Sequence, residues 1–159
     1  MVDCGKLCGN CGKLKTMLIG EFRYNIDQKG RLMIPAKFRQ RFGLEAIITR
    51  GLENCLFIFP KDEWEKVVEK ILKLPLSQAN SRAFARLMLA GAYESTIDNQ
   101  GRILIPEYLR TYAKLEKKVV IVGLYSRIEV WNEKLWEEYK KESESQAQEI
   151  AEKLSDLGI

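Results

Sequence analysis

The chain holds 159 residues, with 26 Lys and Arg against 22 Asp and Glu and no histidine. The missing histidine excludes Ser-His-Asp and Cys-His catalysis, every His-bearing metal site and the usual proton shuttle at neutral pH. No apolar run reaches the length of a membrane span and the first residues lack the apolar stretch of a signal peptide, so a cytoplasmic setting with no membrane partner is expected.

The net charge of +4 is mild but unevenly spread. From Phe22 to Arg41 the basic residues are Arg23, Lys29, Arg31, Lys37, Arg39 and Arg41, against Asp27 alone. From Glu129 to Ile159 nine acids meet four lysines. One end of the chain suits an anion and the other does not.

Residues 1–16 read as a flexible leader. Cys4, Cys8 and Cys11 are spaced C-x3-C-x2-C, which resembles the cluster-binding triad of radical SAM enzymes. That triad normally sits in a βα-barrel larger than this chain can build, and no strand precedes it here. Three cysteines without a histidine also fall one ligand short of a closed zinc site. The expectation is no metal and no cofactor, with Met17 as the natural start and the leader a misplaced start or an extension. A cluster-dependent enzyme using these three cysteines is the alternative from a different class.

Residues 17–74 read as a first β unit with its helix. Phe22 to Ile26 is a short strand. Asp27 to Gly30 is turn chemistry, since Asp bonds forward to the backbone and Gly accepts positive φ at the turn exit. Arg31 to Ile34 returns as a strand. Pro35 fits the first position of a helix over Ala36 to Phe42, with Gly43 as its stop. Ala46 to Thr49 and Cys55 to Phe59 form a second strand pair, with Cys55 in the core. Asp62 to Leu74 is an amphipathic helix that Pro75 breaks, with Trp64 on its apolar side. Residues 75–92 form a connecting helix capped by Ser77.

Residues 93–140 repeat the scheme. Asp98 to Gly101 is the second turn, Ile103 to Ile105 the returning strand, and Pro106 opens a helix through Tyr112. Val119 to Val122 and Ile128 to Trp131 are its second strand pair, and a helix follows from Glu133. Residues 141–159 form a helical, acidic tail with a fraying end.

The echo is literal. Ile26-Asp27-Gln28-Lys29-Gly30-Arg31-Leu32-Met33-Ile34-Pro35 returns as Ile97-Asp98-Asn99-Gln100-Gly101-Arg102-Ile103-Leu104-Ile105-Pro106. It continues at Gly51 and Gly123 and at Trp64 and Trp136, shifted by one more residue. Each β unit alone is too short for a good core. The two are therefore expected to interlock into one barrel, burying edges that would invite aggregation.

Asp-x-x-Gly-Arg, an aliphatic triplet and Pro, twice, each after an aromatic strand, resembles the MraZ family of bacterial transcriptional regulators. Met17-Leu18-Ile19-Gly20-Glu21-Phe22 and Gly91-Ala92-Tyr93-Glu94 resemble that family too. The resemblance covers Met17 to about Tyr139. It implies an α+β fold of two tandem AbrB-like swapped-hairpin units in a pseudo-dimeric barrel, with helices after each. It implies a nucleoid-associated DNA-binding regulator without enzymatic activity or a small-molecule substrate. The implied partners are tandem repeats of double-stranded DNA in the promoter of the division and cell-wall gene cluster, its own gene included, and further copies of itself in a ring. Arg31 and Arg102 fall on the family's DNA-contacting arginines, and Lys29 on the lysine of the first turn. Gln100 departs from the pattern, which implies a weaker phosphate grip in the second copy. An AbrB-type antitoxin or transition-state regulator is the alternative; such chains usually carry one unit.

The residues support this reading physically. An Arg at the foot of a tight turn projects a planar fork suited to guanine or phosphate, while Lys29 suits a phosphate contact that positions without specifying. Arg23, basic and beside the motif, joins the DNA-binding set. Asp27 and Asp98, with Gly30 and Gly101, take the structural role of forming the turns. Taken singly, a turn Arg is more often a solvated surface residue; the duplication is what argues for contact. Arg39 and Arg110 recur at one helix position, where they could neutralise a helix C-terminus, bridge subunits or meet DNA.

Overall fold

Residues 16–158 are described by the computed structural model; Cys4, Cys8 and Cys11 lie outside the described residues. Among the described residues eight strands and six α-helices run in the order β1 (Leu18–Asn25), β2 (Arg31–Met33), α1 (Ala36–Phe42), β3 (Glu45–Arg50), β4 (Leu56–Pro60), α2 (Lys61–Leu72), α3 (Ala79–Ala85), β5 (Tyr93–Thr96), β6 (Arg102–Leu104), α4 (Glu107–Tyr112), β7 (Lys118–Tyr125), β8 (Ile128–Asn132), α5 (Glu133–Ser145) and α6 (Ala147–Leu154). The mixed α and β content expected from the sequence is present. Six strands form an antiparallel sheet in the order β1-β7-β8-β4-β3-β5, and β2 and β6 form a separate two-stranded ribbon.

The local reading returns β2 against β1 across the turn at Asp27. The structure pairs them otherwise. β1 begins four residues before Phe22 and pairs along its length with β7, from Leu18 opposite Tyr125 to Asn25 opposite Lys118. Only a single bridge, Ile26 to Leu32, joins the two sides of the turn. The reason is length. An eight-residue strand satisfies its backbone groups against another of eight, whereas β2 has three residues and matches the three of β6. Strands from the first half therefore complete the second.

Period-two alternation divides the sheet's side chains between two cores. Ala46, Ile48, Leu56, Ile58, Val119, Ile121, Ile128 and Val130 face one side, where Leu32, Ile34, Ile103 and Ile105 around the ribbon and Phe38, Phe42 and Leu109 of α1 and α4 meet them. Val120, Val122, Trp131 and Cys55 face the other, packed with Phe57 and Trp136. Phe59 meets Trp64 of α2 on this second side, at 5.6 Å between ring centroids. Each fully buried aliphatic side chain contributes about 1.5–3 kcal/mol. With both faces covered, β7 is buried from Val119 to Gly123 and β8 along its whole length, Glu129 and Asn132 included.

The helix boundaries follow the punctuation with small corrections. Pro35, Pro60 and Pro106 each sit one residue before a helix in extended conformation, rather than as its first residue. Gly43 stops α1 at φ 69° and donates its N–H to the Arg39 carbonyl. Ser77 does not cap the connecting helix: Gln78 precedes α3, and no side chain caps it. Gln78 instead closes a backbone turn onto Pro75, and Arg82 holds the Leu76 carbonyl. The connecting stretch ends in a π-helical turn, Arg86–Ala90, whose Met88 carbonyl accepts the buried Thr49 hydroxyl at 2.6 Å. Asn132 caps α5 by accepting from Lys134 and Leu135 backbone N–H groups. The last helix breaks at Gln146, and α6 continues from there.

Candidate nucleic-acid interface

Each Asp-x-x-Gly-Arg turn is built by its aspartate. Asp27 Oδ1 accepts the Lys29 and Arg31 backbone N–H groups, both at 2.9 Å, and Oδ2 accepts Arg31 Nε at 2.7 Å. Asp98 does the same for Gln100, Arg102 and Arg102 Nε, at 2.9, 2.9 and 2.8 Å. The Arg31 backbone N–H, then its side chain and the Lys29 N–H, hold the Asp27 carboxyl below its ordinary value; Arg102 and Gln100 act alike on Asp98. Gly30 and Gly101 exit the turns at φ 80° and 79°, a region that favours glycine.

The ribbon brings the two turns onto one element. Arg31 stands opposite Leu104, Leu32 opposite Ile103, and Met33 opposite Arg102. Because side chains alternate, buried Leu32 and Ile103 point into the main core. Arg31, Met33, Arg102 and Leu104 then share the outer face, with Met33 and Leu104 exposed. Through Nε each arginine is tied to its own aspartate, which aims the rest of the guanidinium. Among the described residues, the terminal amino groups of Arg31 and Arg102 have no hydrogen-bond partner. Lys29 and Gln100 are exposed near the turn tips. A two-stranded ribbon of this kind has the width to enter a major groove.

The other sequence candidates are placed differently. Arg23 lies on β1 and is ion-paired to Glu21 at 3.0 Å and to Glu137 of α5, so it does not share the ribbon face. Arg39 Nε donates to the Ile34 carbonyl at 2.9 Å, and Arg110 Nε to the Ile105 carbonyl at 3.0 Å, both within the chain. Met33 and Leu104 were not singled out by the motif. Their signal is alternation: each follows a buried residue in a strand whose arginine faces outward.

Cys55 is buried, and burial followed by the charges of Glu129 and Glu53 pushes its thiol far above its ordinary value, which keeps it protonated. Among the described residues no group of three or more His, Cys, Asp or Glu is placed to hold a metal ion. No helix among them is long and apolar enough to cross a membrane.

Comparison with known proteins gives the family. The family model described as "MraZ protein, putative antitoxin-like" matches twice in tandem, over residues 17–87 and 88–157. The protein named Transcriptional regulator MraZ from Caldanaerobacter subterraneus subsp. tengcongensis is 48% identical over 143 residues, covering 90% of this chain and all of that one. The protein of the same name from Carboxydothermus hydrogenoformans is 49% identical over 141 residues, 89% of this chain and 99% of its own. The solution structure of PHS018 from Pyrococcus horikoshii aligns with 72% of this chain and 87% of its own at 19% identity, with a TM-score of 0.32, too weak a likeness to bear on the fold. With both copies of the doubled motif inside the matched segments, and relatives named as transcriptional regulators and not as enzymes, the chain belongs to the MraZ family.

Proposed function

We propose that this chain is a sequence-specific DNA-binding transcriptional regulator, and that the outer face of the β2–β6 ribbon with its two turns is the surface that meets DNA. The observation that carries the reading is the placement of Arg31 and Arg102. Each is held by an aspartate through Nε, and both face outward from one short ribbon. Fixed forks of this kind suit bidentate bonding to guanine edges. Lys29 adds a phosphate contact at the first turn, and Gln100 makes the second turn the weaker grip. Arg23, on β1 and ion-paired to Glu21 and Glu137, lies off the ribbon face and contributes to binding only through the charge it adds. Met33 and Leu104 supply apolar contact between the arginines, suited to a thymine methyl.

On this reading the two repeats are swapped-hairpin units of one pseudo-dimeric barrel, supported by the pairing of β1 with β7 and β2 with β6. The DNA is a set of tandem repeats in the promoter of the division and cell-wall gene cluster, including the chain's own gene. The protein works in the cytoplasm at the nucleoid, as a ring of copies, with no cofactor and no small-molecule substrate. Exposed Leu72, Leu74, Leu76 and Phe84 around the connecting segment, and Ile150, Leu154 and Leu157 at the end, support self-association. A ring makes the second binding event on one duplex effectively intramolecular, so affinity should rise more than additively with repeat number.

The test is footprinting on the DNA upstream of the chain's own gene, followed by a binding series on probes with one, two and three of the protected repeats. Protection of spaced repeats and a steep rise along the series are expected. No protected repeat at any concentration that spares random DNA would refute the reading. The words "antitoxin-like" in the family description favour a second reading, in which the chain neutralises a toxin; a small protein co-purifying with it in stable stoichiometry would support that instead.

A further inference from the structure

Arg39 and Arg110 remain without a role in the surface above, although they recur at the same position of α1 and α4. Both are half-buried. Each donates Nε to the carbonyl of the residue that follows its own ribbon strand, Ile34 or Ile105. What lies beneath each is the other repeat. A Cβ added to Gly30 would come within 3.0 Å of Arg110 Cζ, and one added to Gly101 would overlap Arg39. The backbone is crossed in the same sense. Ile105 N–H donates to the Gly30 carbonyl at 2.9 Å, and Ile34 N–H to the Gly101 carbonyl at 2.8 Å. Each arginine thus spans the junction between its own strand end and the exit glycine of the opposite turn.

We propose that Arg39 and Arg110 are positioning residues that act crosswise, Arg110 setting the first turn with Lys29 and Arg31, and Arg39 setting the second turn with Arg102. For DNA affinity this rests on the ribbon being the DNA-binding face; the brace itself does not. Glycine at the turn exit then has two reasons: its positive φ and the guanidinium lying over it. The planar fork is what the site uses, so lysine keeps the charge and loses the brace. The competing role is a direct phosphate contact, for which charge would suffice.

The first experiment uses the full chain without DNA. Amide hydrogen exchange is followed at Lys29 and Arg31, held by Asp27, and at Gln100 and Arg102, held by Asp98. Arg110→Lys should speed exchange roughly tenfold in the first turn and leave the second unchanged; Arg39→Lys should do the reverse. Arg110→Met and Arg39→Met, which keep an apolar stem over the glycine, carry the same expectation if a lysine variant does not fold. Loosening of the turn in the same repeat as the substitution, or of neither turn, overturns the proposal.

The second experiment measures binding to a duplex from the gene's own upstream region. The combined loss in Arg110→Lys with Arg31→Ala should fall roughly tenfold short of the product of the single losses, while Arg110→Lys with Arg102→Ala should be additive. Coupling within one repeat, additivity in both pairs, or a salt dependence flattened by the lysine variants overturns the positioning role. If Arg31→Ala alone leaves binding intact, the DNA-binding reading has failed, and the exchange pattern still decides the brace.

Discussion

Alanine at the turn glycines separates backbone strain from steric contact. At Gly43 the chain sits at φ 69° with nothing within 4 Å of an added Cβ. Its ψ of −122° lies outside the left-handed helical basin, in a region that only glycine adopts readily, so Gly43→Ala carries backbone strain alone, about 1–3 kcal/mol. At Gly101 the φ is 79° and the added Cβ would overlap the Arg39 side chain. Moving Arg39 aside also loses its bond to the Ile34 carbonyl, about 1 kcal/mol more. With the left-handed penalty of about 1 kcal/mol at this position, Gly101→Ala should thus cost roughly 2 kcal/mol in total. Gly30→Ala meets a lesser overlap, because its Cβ would stand 3.0 Å from Arg110 and 3.1 Å from the Ile105 carbonyl, each of which must give by a few tenths of an ångström. For a chain of this size each kcal/mol lowers Tm by about 3 °C, so Gly101→Ala should lower it by about 6 °C in the parent chain and by about 3 °C in an Arg39→Ala background, each read against its own glycine parent. The assay is thermal unfolding at one fixed protomer concentration, because self-association would otherwise move Tm. Equal shifts for Gly101→Ala in the parent and Arg39→Ala backgrounds would show that the overlap with Arg39 has no energetic weight, and would remove the steric half of the reasoning.

Three further outcomes are expected. Arg31→Ala should weaken specific binding by about 1–3 kcal/mol per engaged site, Arg102→Ala similarly, and Lys29→Ala should weaken all sequences alike and flatten the salt dependence, read by titration at several salt concentrations. Because Asp27 and Asp98 have folded values held below their ordinary ones, the stability they confer is fully present above the ordinary aspartate range and is lost as pH falls through the depressed folded values. Acid titration of unfolding should therefore show a weaker acid dependence in the Asp27→Asn, Asp98→Asn double variant than in the parent chain. A version starting at Met17 should fold and bind the same DNA, since β1 begins at Leu18 and the family match at residue 17; loss of binding in a gel-shift assay would implicate the leader.

Local chemistry was legible in the sequence wherever one short segment decides the outcome. Pro35 and Gly43 bracket α1, the apolar runs at 46–49, 119–122 and 128–131 lie within strands, and the run at 55–59 does so from Leu56 on. What stayed hidden depends on partners distant in the chain. The mate of β1 is chosen by length among strands about a hundred residues away, and a local hairpin reading cannot see that choice. Arg23 looks like a free cation in its own segment, yet it pairs with Glu137 on α5. Arg39 and Arg110 look like helix-end cations, yet each lies over a glycine of the other repeat. Ser77 has the chemistry of a cap, but the backbone turn from Pro75 to Gln78 leaves it outside the helix start.

The duplication itself explains why so much is non-local. The family matches divide the chain after residue 87, yet that division cuts across the pairing of both halves. β1 has its partner in β7 and β2 in β6. A first half alone would expose an eight-residue edge and an unpaired stub, each a template for aggregation. A second half alone would leave β7 paired only with β8. Fusion makes the exchange intramolecular, and it also frees the two copies to differ. Lys29 faces solvent in one turn and Gln100 in the other, while the parts that shape the turns, Asp27 with Asp98, Gly30 with Gly101 and Arg39 with Arg110, are the same in both. The residues that build the surface, Arg31 and Arg102 included, are thereby bound to a near-twofold arrangement, and the residue at each turn tip, Lys29 or Gln100, is not. An asymmetric target can then be gripped strongly on one side and lightly on the other without disturbing the ribbon that carries both.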